Sequence, residues 1–157
     1  MTVIENVTCR RRMVLAGLAA SIAGAAGFGG AAGAQPIAQA VTYRIWRGQY
    51  GGGMEKRIDF LADAAAWERA WRSVDKPPEA AFAAEKSRGL LATQGQKMTG
   101  GFRVEVVSAA REGNVVRVVL RDAGPAPDRI VTQALSQPWA IVLLETGGLP
   151  VEARWAE

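Results

Sequence analysis

The chain contains no histidine, and its single cysteine, Cys9, stands ahead of an apolar run near the N-terminus. Those two facts remove every Ser–His and Cys–His nucleophile pair and every histidine-bearing zinc or iron site. Acid/base chemistry would fall to carboxylates such as Glu55, Asp59 and Glu105, because paired carboxylates can divide acid and base roles. Each of the three sits where a solvated strand face is expected, and no catalytic constellation emerges. Gly51-Gly52-Gly53 could cradle a phosphate, but no Gly-Lys-Ser/Thr follows and no strong helix begins there, so an exposed, flexible loop is expected. The residue types predict a protein that is not an enzyme, with no cofactor and no metal site. What they do offer is interface chemistry. Thr99-Gly100-Gly101-Phe102 leads into Arg103, and Val107, Arg117, Val119 and Arg121 alternate onto the same outward face. Apolar residues mixed with arginine suit a protein surface that is buried on binding. Thr99, Gly100, Gly101, Phe102, Arg103, Arg117 and Arg121 are therefore the candidate partner-binding residues. The plainer alternative is that the glycines only meet a backbone requirement, such as a bulge, and that Val107 and Val119 are one cross-strand pair.

These residues need a hairpin to hold them. Phe102, Val104, Val106 and Ser108 share one face of a first strand, and Val116, Val118 and Leu120 share one face of a second. A two-residue turn at Gly113-Asn114 would set the first strand's core residues beside the second strand's arginines, because a one-residue slip exchanges the faces. A three-residue loop, Glu112-Gly113-Asn114, restores the parity and predicts the pairs Val106–Leu120, Ser108–Val118 and Glu105–Arg121. Asn114 would then take the left-handed conformation at the end of the loop.

Around the hairpin, residues 41–47 alternate as a strand, with Val41, Tyr43 and Ile45 facing one way and Thr42, Arg44 and Trp46 the other. Residues 54–61 form a weaker strand carrying Ile58 and Phe60 on one side. Asp63 is placed to cap a helix running to about Ser73, and Trp67, Ala70, Trp71 and Val74 make one apolar stripe along it. Such a stripe could stack a ligand, but packing on a sheet is the expected use. Lys76-Pro77-Pro78 ends the helix, Phe82 anchors the linking segment, and residues 89–93 read as a short buried strand before a turn over residues 94–97. Gly124-Pro125-Ala126-Pro127-Asp128 is a stiff, exposed connection. Residues 130–135 are expected to be a strand, and Trp139 to Leu144 another, apolar on both faces and so central or covered by the helix. Residues 35–40 and those after Pro150 are expected to be tails.

The first 34 residues have a different character. Arg10-Arg11-Arg12 precedes an apolar, Ala/Gly-rich run that ends in the small-residue triplet Ala32-Gly33-Ala34, the layout of a secretory signal peptide. The paired arginines before Met13-Val14-Leu15 resemble a twin-arginine signal. A single membrane anchor is the competing reading, but glycines dilute the run and the cleavage-like triplet ends it. Residues 35–157 then form one domain, periplasmic or extracellular, with no membrane association after removal of the leader. The leader holds three arginines and one glutamate of the chain's 19 basic and 15 acidic residues, so the remainder carries a net charge of +2. No basic block with interleaved aromatics stands in it, which leaves nucleic-acid binding unsupported. Without a cysteine in residues 35–157, the domain must rely on its core rather than on disulfides.

The sum is an α+β, mainly antiparallel β domain: a twisted sheet of about six or seven strands with one helix packed on it. The order of the pieces resembles the protease-complex-subunit (PrcB-like) family of exported bacterial proteins. The resemblance rests on the helix with Trp67 and Trp71, the Pro77-Pro78 and Phe82 segment, the apolar strand ending at Gly95, Thr99-Gly100-Gly101-Phe102 with its hairpin, and Thr132 leading to Pro138-Trp139. It implies a non-catalytic accessory protein whose partner is an exported protease that it binds and stabilises or matures. A secreted protease inhibitor, entering a cleft with the Gly124 to Asp128 loop, is the alternative, as is another protein- or ligand-binding β-domain.

Overall fold

Asp63 begins the helix as its position predicts. Its backbone is extended (φ −136°, ψ 167°), and its Oδ1 accepts from the Ala66 N–H at 2.6 Å, satisfying one of the free amides of the first turn of α1 (Ala64–Ser73). The helix closes when the Lys76 N–H donates to the Trp71 carbonyl and the Asp75 N–H to the Arg72 carbonyl, with Asp75 held at φ 56°. That pair of bonds is the Schellman closure, and it puts an aspartate where glycine is usual. Trp67, Ala70, Trp71 and Val74 are all buried. The Trp67 and Trp71 rings pack edge-to-face with a tryptophan from the sheet below: Trp46 lies 5.9 Å from Trp67 and 5.4 Å from Trp71. Phe82 stacks on Trp67 at 5.4 Å. The stripe is therefore a packing face. At about 200 Å² per ring and roughly 25 cal/mol per Å², each buried indole contributes on the order of 5 kcal/mol of transfer free energy.

The computed structural model describes residues 5–6 and 38–157; the leader expected over residues 1–34 lies outside the described residues apart from Glu5 and Asn6. Beneath α1 lies a sheet in the order β1 (Glu5–Asn6), β3 (Tyr43–Gly48), β8 (Trp139–Glu145), β5 (Ser87–Gln94), β4 (Lys56–Leu61), antiparallel throughout. Facing it is a second sheet in the order β2 (Gln39–Ala40), β6 (Arg103–Glu112), β7 (Val115–Ala123), β9 (Val151–Trp155). β8 explains the layering. Trp139, Ile141 and Leu143 point into the helix layer, while Ala140, Val142 and Leu144 point between the sheets. A strand buried on both faces reads as a continuous apolar run, which is what residues 139–144 are. The α+β, mainly antiparallel class holds, with the strands divided between two stacked sheets.

Several local expectations are corrected. The hairpin turns on two residues, Gly113 and Asn114, because Glu112 pairs with Val115; Gly113 rather than Asn114 has positive φ, at 63°. The parity is restored inside β6. Val106 pairs with Leu120 but Ser108 pairs with Val119, so Val107 is the extra residue of a β-bulge. Val104 and Val106 face the core before the bulge and Ala109 faces it after, which leaves Ser108 exposed rather than inward. Glu105 and Arg121 pair as expected, whereas Val118 meets Ala109. Residues 130–135 are not a strand. Both sides of β8 are already taken, by β3 and β5, and Ile130 stands fully exposed. The C-terminal residues are not a tail: β9 pairs in parallel with β7, and Trp155 lies under the Lys56 ammonium at 4.4 Å. At the other end, Gln39–Ala40 pair with Arg111 and Ala110 of β6. The glycine loop is exposed as expected at Tyr50 and Gly51, but it is pinned at the buried Gly52. The Gly52 N–H donates to the Gln137 carbonyl at 3.0 Å, and a Cβ at Gly52 would meet that carbonyl oxygen at 2.6 Å.

Candidate functional site

Thr99-Gly100-Gly101-Phe102 runs along the junction between the two sheets and is held from both sides. The Gly100 N–H donates to the Thr132 carbonyl at 2.9 Å, and Ser136 Oγ donates to the Thr99 carbonyl at 2.7 Å. From the other side, Gln49, just past the end of β3, donates from Nε2 to the Phe102 carbonyl at 2.8 Å and accepts at Oε1 from the Gly101 N–H at 3.3 Å. Gly101 has φ +88°, and a Cβ there would come within 2.9 Å of Val131 Cγ1 and 3.0 Å of Pro125 Cβ. Gly101 is thus a positional requirement of the junction. Gly100 is not, since its added Cβ would make only ordinary contact with Thr132 at 3.5 Å. Phe102 lies beneath the Lys97 ammonium, 5.1 Å from its ring centroid.

The three candidate arginines do reach one outer face, but each is engaged there. Glu105 Oε1 takes Arg103 at 2.7 Å while its Oε2 takes Arg121. Chiefly the Arg121 hydrogen bond, with help from Arg103 and against partial burial, holds the Glu105 carboxyl below its ordinary value. Arg117 stands four residues up β7, roughly 13 Å away along the strand. It bridges Glu112 at 3.0 Å and Glu152 at 3.3 Å. Behind the junction, Asp122 is shared by Lys97 at 3.1 Å and Lys56 at 3.5 Å. Val107 and Val119 are not partners, because the bulge sets Val107 outside the ladder, 53% exposed.

Of the carboxylates considered for acid/base chemistry, Asp59 bonds Arg57 at 2.8 Å on β4, and Glu105 lies on the other sheet between its two arginines. The structure does not bring Asp59 and Glu105 together. Among the described residues no group of three or more acidic or cysteine side chains could hold a metal ion, and no helix is long and apolar enough to cross a membrane.

Beside the junction, Gly101 and Arg103 form one wall of a cleft of about 550 Å³, and Pro125, Arg129, Ile130 and Val131 form much of the rest. A second groove, of about 420 Å³, crosses the outer face between Ser108, Arg117, Val119 and Arg154. Arg129 and Ile130 escaped the sequence reading because Ile-Val-Thr after a proline turn has the composition of a strand. Arg129 beside Ile130, just past the Pro-x-Pro turn, was the available signal.

The molecule is thus an α+β protein of two stacked sheets, one of them roofed by a tryptophan helix, with a cleft beside a glycine junction. Residues 90–145 match the family model described as PrcB C-terminal, which supports a PrcB-like assignment over the stretch from β5 through β8. That stretch contains the junction, the hairpin and the cleft. No curated protein and no solved structure matches the chain.

Proposed function

We propose that this protein is an exported, non-catalytic accessory subunit that binds a protease and stabilises or matures it. The observation that carries the reading is the PrcB C-terminal match, which falls on residues 90–145 and so on the glycine junction and its cleft. The side chains there support binding rather than chemistry, since each carboxylate of the junction is tied to two cations. Residues 1–34 act as the export signal, and the mature domain works in the periplasm or outside the cell.

The test is to capture the tagged protein from the exported fraction of its native host, identify a protease that comes with it, and measure that protease's half-life with and without the protein. A longer half-life with full activity supports the proposal; an unchanged half-life refutes it. A second reading, inhibition, is favoured by one observation: Pro125 and Pro127 stiffen a loop that ends at the fully exposed Ile130. Loss of protease activity in the same assay selects it.

A further inference from the structure

The cleft between the glycine junction and residues 124–132 has its own charge pattern. Two acids of the adjoining sheet are already paired, Glu105 with Arg103 and Arg121, and Asp122 with Lys56 and Lys97. Each carboxylate therefore leaves one positive charge in excess. Arg129 adds another on the opposite wall, where it has no ion-pair partner among the described residues, and its sequence neighbour Asp128 does not line the cleft. Between the charges the walls are apolar: Pro125, Val131 and Ile130, the last exposed over its whole side chain. The exposed Ile130 and the Arg129 guanidinium therefore present an apolar and a cationic contact side by side, and a partner segment with the complementary pair would cover both.

Strand addition is blocked at this edge. Arg47 Nε donates to the Val104 carbonyl at 2.9 Å, and Gln49 takes the Phe102 carbonyl, so side chains from β3 and the loop after it already occupy the acceptors of Val104 and of the residue that leads into β6. Recognition must run through side chains rather than through a backbone ladder.

We infer that this cleft docks an extended segment of the partner protein in which an acidic side chain adjoins a branched or aliphatic one. The carboxylate lies between Arg129 and the outer side of Arg103, where a charge-assisted, two-pronged contact is available, and the apolar side chain packs against Ile130, Val131 and Pro125. The inference rests on the accessory reading above and names the chemistry of its partner segment.

The probe is a capped, fluorescein-labelled pentapeptide with one aspartate flanked by leucines, compared with its asparagine isostere by fluorescence anisotropy at low salt. The aspartate peptide is expected to bind about tenfold more tightly than the asparagine peptide, the size of one net charge-assisted contact, and to weaken as salt rises. Arg129→Gln should remove that preference, and Ile130→Ser should weaken both peptides; both side chains are exposed, so an unchanged circular dichroism spectrum is the fold control. Equal binding of the two peptides, no binding of either, or full retention of the preference in Arg129→Gln overturns the inference. Protease half-life separates the two ideas. If Arg129→Gln and Ile130→Ser protect the protease as well as the unaltered protein does, the accessory reading stands and the cleft is not its docking site. If the unaltered protein gives no protection, the accessory reading itself has failed.

Discussion

Gln49 clasps Phe102 across the gap between the two sheets, donating from Nε2 to the Phe102 carbonyl at 2.8 Å while its Oε1 receives the neighbouring Gly101 N–H at 3.3 Å. One side-chain amide thus satisfies a donor and an acceptor of a backbone stretch that lies outside any strand. Gln49→Ala should lower stability by about 1–3 kcal/mol, since both groups lose their partner in a half-buried setting. Urea denaturation followed by tryptophan fluorescence measures it, and a change below a few tenths would mean that water replaces the amide at no cost.

The paired glycines make a sharper comparison. Gly101→Ala combines an unfavourable φ with a 2.9 Å approach to Val131 and should cost roughly 2 kcal/mol or more, whereas Gly100→Ala should cost less than about 1. Equal midpoints for the two variants would show that the junction relaxes around a side chain.

Asp75 offers the opposite sign. Its φ of 56° at the Schellman position strains an L-residue, so Asp75→Gly should stabilise the domain by about 0.5–1 kcal/mol. Calorimetry should record a higher Tm, and a lower one would mean that the aspartate side chain supplies a compensating contact.

Glu105 provides the pH dependence. Its carboxyl is held below the ordinary glutamate value of about 4.5, first by Arg121. A depressed folded value means that the ionised pair stabilises the protein above the unfolded value, and that this contribution disappears as the pH falls through the folded one. Because the pair is at the surface, the amount is below about 1 kcal/mol and shrinks with salt. The stability difference between the unaltered protein and Glu105→Gln should therefore be constant near neutrality and narrow below about pH 4.5. In Arg121→Ala the Glu105 carboxyl, followed by NMR, should titrate at higher pH.

The final strand is part of the core. Val151, Ala153 and Trp155 pack against the inter-sheet cluster, and removal of residues 151–157 also uncovers the outer edge of β7. The truncated protein should lose roughly 3 kcal/mol or more by area burial alone. A truncated form with an unchanged denaturation midpoint would return these residues to the status of a tail.

The features legible in the chain are those fixed by neighbours a few residues apart. The Asp63 cap, the Trp67–Trp71 stripe and the two-faced apolar run at residues 139–144 follow from hydrogen-bonding reach and from the 3.6- and 2-residue periods, and all three stand. The same local logic required the hairpin to hold its valines inward and its arginines outward, and that too stands for Val106 and Arg121. How the parity was met was not local. An extra residue can be absorbed in a loop or in a bulge, and packing against the facing sheet chose a bulge at Val107. Whether a β-compatible segment becomes a strand also depends on a free edge being within reach. Residues 130–135 had none at β8, while Val151–Trp155 found one beside β7. The candidate site divides in the same way. Its glycines and Arg103 could be named from residue type and spacing, whereas Arg129 and Ile130 joined them only because Gly100 and Thr132 are hydrogen-bonded across a gap of thirty-two residues, a closure that no local pattern encodes.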